Sequence, residues 1–219
     1  MKRKLLAALL VGATVLPALQ GCFPVVAAGV GSGVAATLDR RSLGTQTEDE
    51  SIEWKAGSRV GDRLKDRGHF NFTSYNRKVL ISGEVASEEF KAEAERIVAA
   101  IPNVTAVHNE LIVGPSSSLA DRSNDSFITS KVKSRSVDSG KFNPLHVKVV
   151  TEAGTVFLLG MVTQAEADSA VNVARTTAGV KKVVNLMEIL SPARARELDV
   201  VQKEAKPSQG TAPVESRAP

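Results

Sequence analysis

Val79-Leu80-Ile81-Ser82-Gly83-Glu84-Val85 returns later in the chain as Val156-Phe157-Leu158-Leu159-Gly160-Met161-Val162. A second pair follows at the same offset, Val104-Thr105-Ala106-Val107-His108-Asn109 and Val180-Lys181-Lys182-Val183-Val184-Asn185. A repeat of about 76 residues is too long for a solenoid unit and suits a small domain present twice. Gly114-Pro115-Ser116-Ser117-Ser118 between the copies has the composition of a linker.

Working outward from the repeat, each copy reads as helix, strand, turn, strand, helix, strand. The first hairpin is Phe70–Tyr75, a turn at Asn76-Arg77-Lys78, then Val79–Val85. The second is His146–Val150, a turn through Glu152-Ala153-Gly154, then Thr155–Leu159. Ser87 caps the helix after the first hairpin, with Glu88 and Glu89 at the positive end of its dipole. Thr163 and Glu166 form a capping box for the second. Core stripes follow at helical spacing, Phe90, Ala94, Ile97 and Val98 in one and Ala167, Ala170, Val171 and Ala174 in the other. Pro102 and Gly179 end these helices. The expected fold class is α+β, two tandem αββαβ domains, each a three-stranded mixed sheet covered by two helices. Gly83 and Gly160 end the second strands and are read as structural, through φ > 0 or a close backbone approach.

The N-terminus sets the compartment. Lys2-Arg3-Lys4 precedes an apolar run from Leu5 to Leu16, the pattern of a secretory signal and too short for a membrane span. Leu19-Gln20-Gly21-Cys22 resembles the lipobox of bacterial lipoproteins, although Gln20 departs from the usual small or β-branched residue. That resemblance implies cleavage before Cys22 and a covalent lipid on it. Phe23 follows where aspartate would signal inner-membrane retention, so outer-membrane sorting, facing the periplasm, is expected. Residues 1–21 are then signal peptide, 22–48 lipidated N-terminus and tether, 49–114 the first domain, 115–122 linker and 123–190 the second. Residues 191–219, rich in Pro, Ser, Gln and mixed charge, read as a disordered tail. A tether of about 25 residues reaches roughly 25–30 Å.

Composition narrows the functions. The formal charge of +4 rests on 28 basic and 24 acidic residues, and three of the basic ones lie in the signal. A nearly neutral mature chain gives no electrostatic case for nucleic-acid binding. A single cysteine leaves no disulfide or cysteine-based zinc site. His69, His108 and His146 lack metal-ligand spacing, and no nucleophile elbow, carboxylate pair or phosphate loop is present. Gly29-Val30-Gly31-Ser32-Gly33 lacks the preceding strand that a phosphate loop needs. No catalytic residue, metal or cofactor beyond the lipid on Cys22 is expected.

The repeated pattern with its strand-ending glycine resembles the BON domain, and the chain from Cys22 to about Leu190 resembles dual-BON outer-membrane lipoproteins. Arg41-Ser42-Leu43-Gly44-Thr45-Gln46, Tyr75, Lys78-Val79-Leu80, Ser123-Asn124-Asp125, Ile128-Thr129 and Val156-Phe157-Leu158 carry the likeness. The resemblance implies anionic phospholipid as partner and a role in envelope integrity, including at division sites. A module engaging the outer-membrane assembly machinery is the alternative.

The helix from about Asn124 to Val137 is the candidate surface. On a helical wheel Ile128 and Val132 share the packed face, and Phe127 lies about 100° away with Ser130, Lys131, Ser134 and Val137, flanked by Lys133. An aromatic beside lysines suits shallow insertion into an anionic bilayer. The wheel alone leaves it equally open that Phe127 folds under the helix end. The resemblance assigns phospholipid binding to this helix, and carries over to Phe127, Ile128, Ser130, Lys131, Val132, Lys133, Ser134 and Val137. Phe127 stands where the family usually has tryptophan, Lys133 for arginine and Ser136 for leucine, which points to weaker binding. In the first copy Ile52, Ala56 and Val60 define the packed face. Trp54 points elsewhere, as either a second membrane contact or a plug between the domains, and with few lysines around it the interdomain role is the one expected. Gly57 and Gly61 weaken that helix.

Overall fold

The computed structural model describes residues 39–204, so the signal, Cys22 and the last fifteen residues lie outside the described part. The elements of the first domain are α1 (Leu43–Leu64), β1 (Gly68–Tyr75), β2 (Lys78–Val85), α2 (Glu88–Ala99), β3 (Ala106–Asn109) and β4 (Ile112–Val113). The second has α3 (Leu119–Ser139), β5 (Val147–Glu152), β6 (Thr155–Thr163), α4 (Gln164–Arg175), β7 (Lys182–Asn185) and β8 (Glu188–Leu190), followed by α5 (Pro192–Glu204).

Both domains have the expected α+β order, with one change in strand count. β1 and β2 form an antiparallel hairpin, and β3 and β4 both run parallel to β2, at Lys78–Ile81 and at Glu84–Val85. β7 and β8 divide the partner edge of β6 in the same way. The third strand is thus broken into two, giving four strands per sheet. In each copy an asparagine side chain bends the chain at the break: Asn109 Oδ1 accepts from the Leu111 N–H, and Asn185 Oδ1 from the Met187 N–H.

The hairpin turns are of the tight type that needs positive φ at both central residues. Asn76 and Arg77 have φ of 51° and 62°, Ala153 and Gly154 of 51° and 79°. A buried aspartate on the first helix of each domain holds these turns. Asp49 accepts the backbone N–H groups of Asn76 and Arg77 at 2.8 and 2.7 Å, and Asp125 those of Ala153 and Gly154 at 2.8 and 2.9 Å. Gly83, at φ 118°, and Gly160 face the neighbouring strand at its closest approach. A Cβ would stand 2.0 Å from the His69 carbonyl oxygen in one case and 2.3 Å from that of His146 in the other.

Each sheet buries both of its faces. Val79, Ile81 and Val85 pack under α1 and α2 with Ile52, Ala56 and Val60. Val156, Leu158 and Val162 pack under α3 and α4 with Ile128 and Val132. Residues of opposite parity on the same strands, Leu80 with Tyr75 and Phe157 with Leu159, form a third cluster between the sheets. The result is a four-layer stack, helices, sheet, sheet, helices. The consecutive apolar runs Val79-Leu80-Ile81 and Val156–Leu159 carry the sequence signature of strands covered on both sides.

Three expected limits shift. Asp39 and Arg40 are buried and α1 begins at Leu43, so the tether ends well before residue 48. α3 begins at Leu119 through a Ser118–Asp121 capping box, which shortens the linker. Residues 192–204 form α5 where disorder was expected. Tertiary contacts hold it: Ala195 is 3% exposed, Asp199 pairs with Arg40, and Gln202 Nε2 donates to the Arg41 carbonyl.

Candidate functional site: the outward face of α3

Asp125, Ile128, Val132 and Ser136 are the buried residues of α3, spaced along one stripe. Ile128 and Val132 are 0% and 1% exposed, so they support the helix from below and cannot meet a membrane. Their place among the lipid-binding residues is corrected: side chains in the packed core share a helix with the site without being part of it.

The opposite side of α3 is open. Phe127 is 62% exposed and Val137 65%, about 15 Å apart along the axis. Phe127 therefore does not fold under the helix end. Ser130, Lys133 and Ser134 are exposed between them. The hydroxyls of Ser126 and Ser130 donate back to the carbonyls of Arg122 and Ser126, so they present little unmet hydrogen-bonding demand. Such a face loses little when it leaves water.

The basic residues divide by task. Lys131 is partly buried; its ammonium donates to the Ala178 carbonyl at 2.6 Å and sits 4.7 Å from the Phe127 ring centroid. This cation–π contact fixes the ring and leaves a positive charge beside it. Arg135 donates to the Val173 carbonyl and to the hydroxyls of Thr176 and Thr177, tying α3 to the C-terminal end of α4. Lys133 is exposed and forms no ion pair among the described residues. Asp138, also exposed, brings one opposing charge at the C-terminal end of this sector.

Trp54 is 74% exposed on α1, not between the domains. The interface is filled instead by strand residues, Tyr75, Leu80, Phe157 and Leu159, and bridged by polar pairs. Lys148 Nζ reaches Glu53 at 2.9 Å and Lys78 Nζ reaches Glu188 at 2.9 Å. The hydrogen bond from Lys78 holds the Glu188 carboxyl below its usual range. Asn71 Nδ2 donates to Glu152 at 2.7 Å, and burial pushes the Glu152 carboxyl up despite that bond. Sequence reasoning missed Asp49, Asp125 and this interface. The consecutive apolar strand runs were the available signal for the last.

Among the described residues no cluster could hold a metal ion and no helix is long and apolar enough to cross a membrane. Residues 48–115 and 124–191 each match the BON domain model. The chain is 39% identical over 185 residues to Outer membrane lipoprotein DolP of Haemophilus influenzae, across 84% of this chain and 95% of that protein. It is 35% identical over 152 residues to a 21 kDa hemolysin of Actinobacillus pleuropneumoniae, across 68% and 78%. It is 28% identical over 158 residues to osmotically-inducible protein Y of Escherichia coli, across 70% and 79%. With two BON matches on two αββαβ domains and this identity over most of its length, the chain belongs to the BON-domain family, among its dual-domain outer-membrane lipoproteins.

Proposed function

We propose that this protein is anchored to the outer membrane by lipid on Cys22, faces the periplasm, and lays the outward face of α3 on anionic phospholipid. The observation that carries the reading is Phe127, largely exposed on a helix whose other side is core, with the Lys131 ammonium against its ring. An apolar ring enters the acyl boundary while Lys131 and Lys133 stay at headgroup level. Two weak attachments, one lipid and one protein surface, hold far better than either alone. The protein would thereby restrict itself to anionic regions and support outer-membrane integrity, with division sites among the places such regions occur.

The test is vesicle binding by the full chain carrying Cys22→Ser, which removes the anchor. Phe127→Glu is expected to lower affinity for vesicles containing phosphatidylglycerol at least tenfold, while uncharged vesicles bind neither form. Unchanged binding would overturn the assignment to α3.

A second reading, an accessory factor for outer-membrane assembly, is favoured by Trp54. It stands exposed on the opposite outer layer of the stack, away from the α3 face. Capture of assembly proteins in detergent that survives Phe127→Glu and is lost with Trp54→Ala would support it.

A further inference from the structure

The N- and C-terminal parts of the described chain meet at two consecutive arginines. The Arg40 side chain is 3% exposed. Its Nη1 donates to Glu166 at 2.8 Å and to the Met161 carbonyl at 2.9 Å, and its Nη2 to Glu166 at 3.1 Å. Nε and Nη2 donate to the two carboxylate oxygens of Asp199 on α5, at 2.8 and 3.1 Å. Arg41 is bound into the first domain, to Asp39 at 2.6 Å and Asp49 at 2.7 Å, with its guanidinium 3.9 Å over the Tyr75 ring. α5 reaches this residue also, through Gln202 Nε2 to the Arg41 carbonyl at 3.1 Å.

These arginines open the described body on the side of Cys22, and no lysine or arginine occurs between Cys22 and Arg40. Arg40 is therefore the first position past the anchor at which an arginine-specific serine endopeptidase could cut. Such an enzyme needs the guanidinium free to enter its specificity pocket and the neighbouring backbone free to extend. Neither is free while Asp199, Glu166 and Asp49 hold the two side chains. α5 itself is held lightly: Ala195 is its one fully buried apolar residue, and Val200 and Val201 are about half exposed. A helix of 13 residues is marginal on its own and opens more readily than the sheets.

We propose that α5 is a latch over a latent proteolytic release site at Arg40-Arg41. Docked, it closes the junction between anchor and body. Lifted, it takes away the Asp199 pair and the Gln202 bond to the Arg41 carbonyl. Arg40 then keeps only Glu166 and the Met161 carbonyl, and the bond after Arg40 opens to hydrolysis. One water adds across the Arg40–Arg41 peptide bond, leaving a carboxylate on Arg40 and an amine on Arg41. Both BON domains then lose the anchor together and keep only the weaker α3 contact with the membrane. Loss of the anchor rests on the reading that Cys22 carries the lipid; the latch over the arginines does not.

Trypsin is the probe. The full Cys22→Ser chain is compared with the same chain ending at Ser191 and with Asp199→Asn, by mass spectrometry of fragments beginning at Arg41. Arg194 and Arg196 on α5 are exposed and can be cut in their own right, so initial rates are compared. Loss of α5 is expected to raise the rate at Arg40-Arg41 at least tenfold, and Asp199→Asn by a smaller factor, with Lys78 and Lys148 still protected. An unchanged rate, or a rise matched at Lys78 and Lys148, would overturn the latch, the second outcome showing that α5 merely stabilises the whole fold. A parallel digestion of the lipidated chain on vesicles reads the anchor separately: failure of that chain to stay on vesicles before digestion defeats the Cys22 reading and leaves the latch result standing.

Discussion

The two domains are the same device on the inside and different surfaces on the outside. Ile52 and Ile128, Asp49 and Asp125, Gly83 and Gly160 each do one job in two places: core packing, holding the hairpin turn, and admitting a neighbouring carbonyl. The outward faces share nothing comparable. α1 shows Trp54 above Gly57, Ser58 and Gly61, whereas α3 shows Phe127 and Val137 among Ser130, Lys131, Lys133 and Ser134. The difference teaches where a duplicated domain is free to diverge. Positions that satisfy buried backbone groups are bound by the fold, and positions facing solvent are open to a new partner.

The glycines give the strongest test of the shared interior. Gly83→Val and Gly160→Val each place a Cβ within 2.0 to 2.3 Å of a backbone carbonyl, a clash that only strand separation relieves. Each is expected to cost more than about 4 kcal/mol and to abolish cooperative folding of its own domain, read by urea melts. A tolerated valine at Gly160 would break the equivalence.

The aspartates sharpen the same comparison at smaller scale. Asp125→Ala leaves two turn N–H groups without their acceptor and is expected to cost about 2–3 kcal/mol. Asp49→Ala should cost more, because Asp49 also accepts from Ser74 Oγ at 2.6 Å and pairs with Arg41. Equal melting shifts for the two variants would show that these extra bonds contribute nothing net.

The smallest effect separates the copies at the last residue of their first strands, Tyr75 in one and Glu152 in the other, both buried. Burial raises the Glu152 carboxyl, so folding favours its protonated form. Its contribution is therefore fully present below the ordinary carboxylate range and is lost as pH rises through its raised value. Glu152→Gln stays neutral, can still accept from Asn71, and is expected to gain under about 1 kcal/mol at pH 7 and nothing at pH 4. Glu166 has the opposite sign. Burial alone would raise it, but hydrogen bonds from Arg40 and from the Thr163 N–H and hydroxyl hold it at about 2. Its contribution is present above about pH 4.5 and falls away as pH drops towards 2.

The sequence by itself determined the duplication, the order of elements and the capped starts of α2 and α4, while the outward position of Phe127 was left open by the wheel and settled by its exposure. The first three are written in short-range signals: recurring strings, helical period and capping residues. The BON family was legible for the same reason. What only the tertiary structure decided are the contacts between distant parts. The sheets pack back to back through Leu80 and Phe157, which leaves Trp54 outside the interface. Ile128 and Val132 belong wholly to the core. A polar segment after residue 190 becomes α5 because Arg40 and Arg41 wait for it some 160 positions earlier. Neither local propensity nor periodicity records a partner that far away, and burial of a shared charge pair is settled only when residues 40 and 199 arrive at one place.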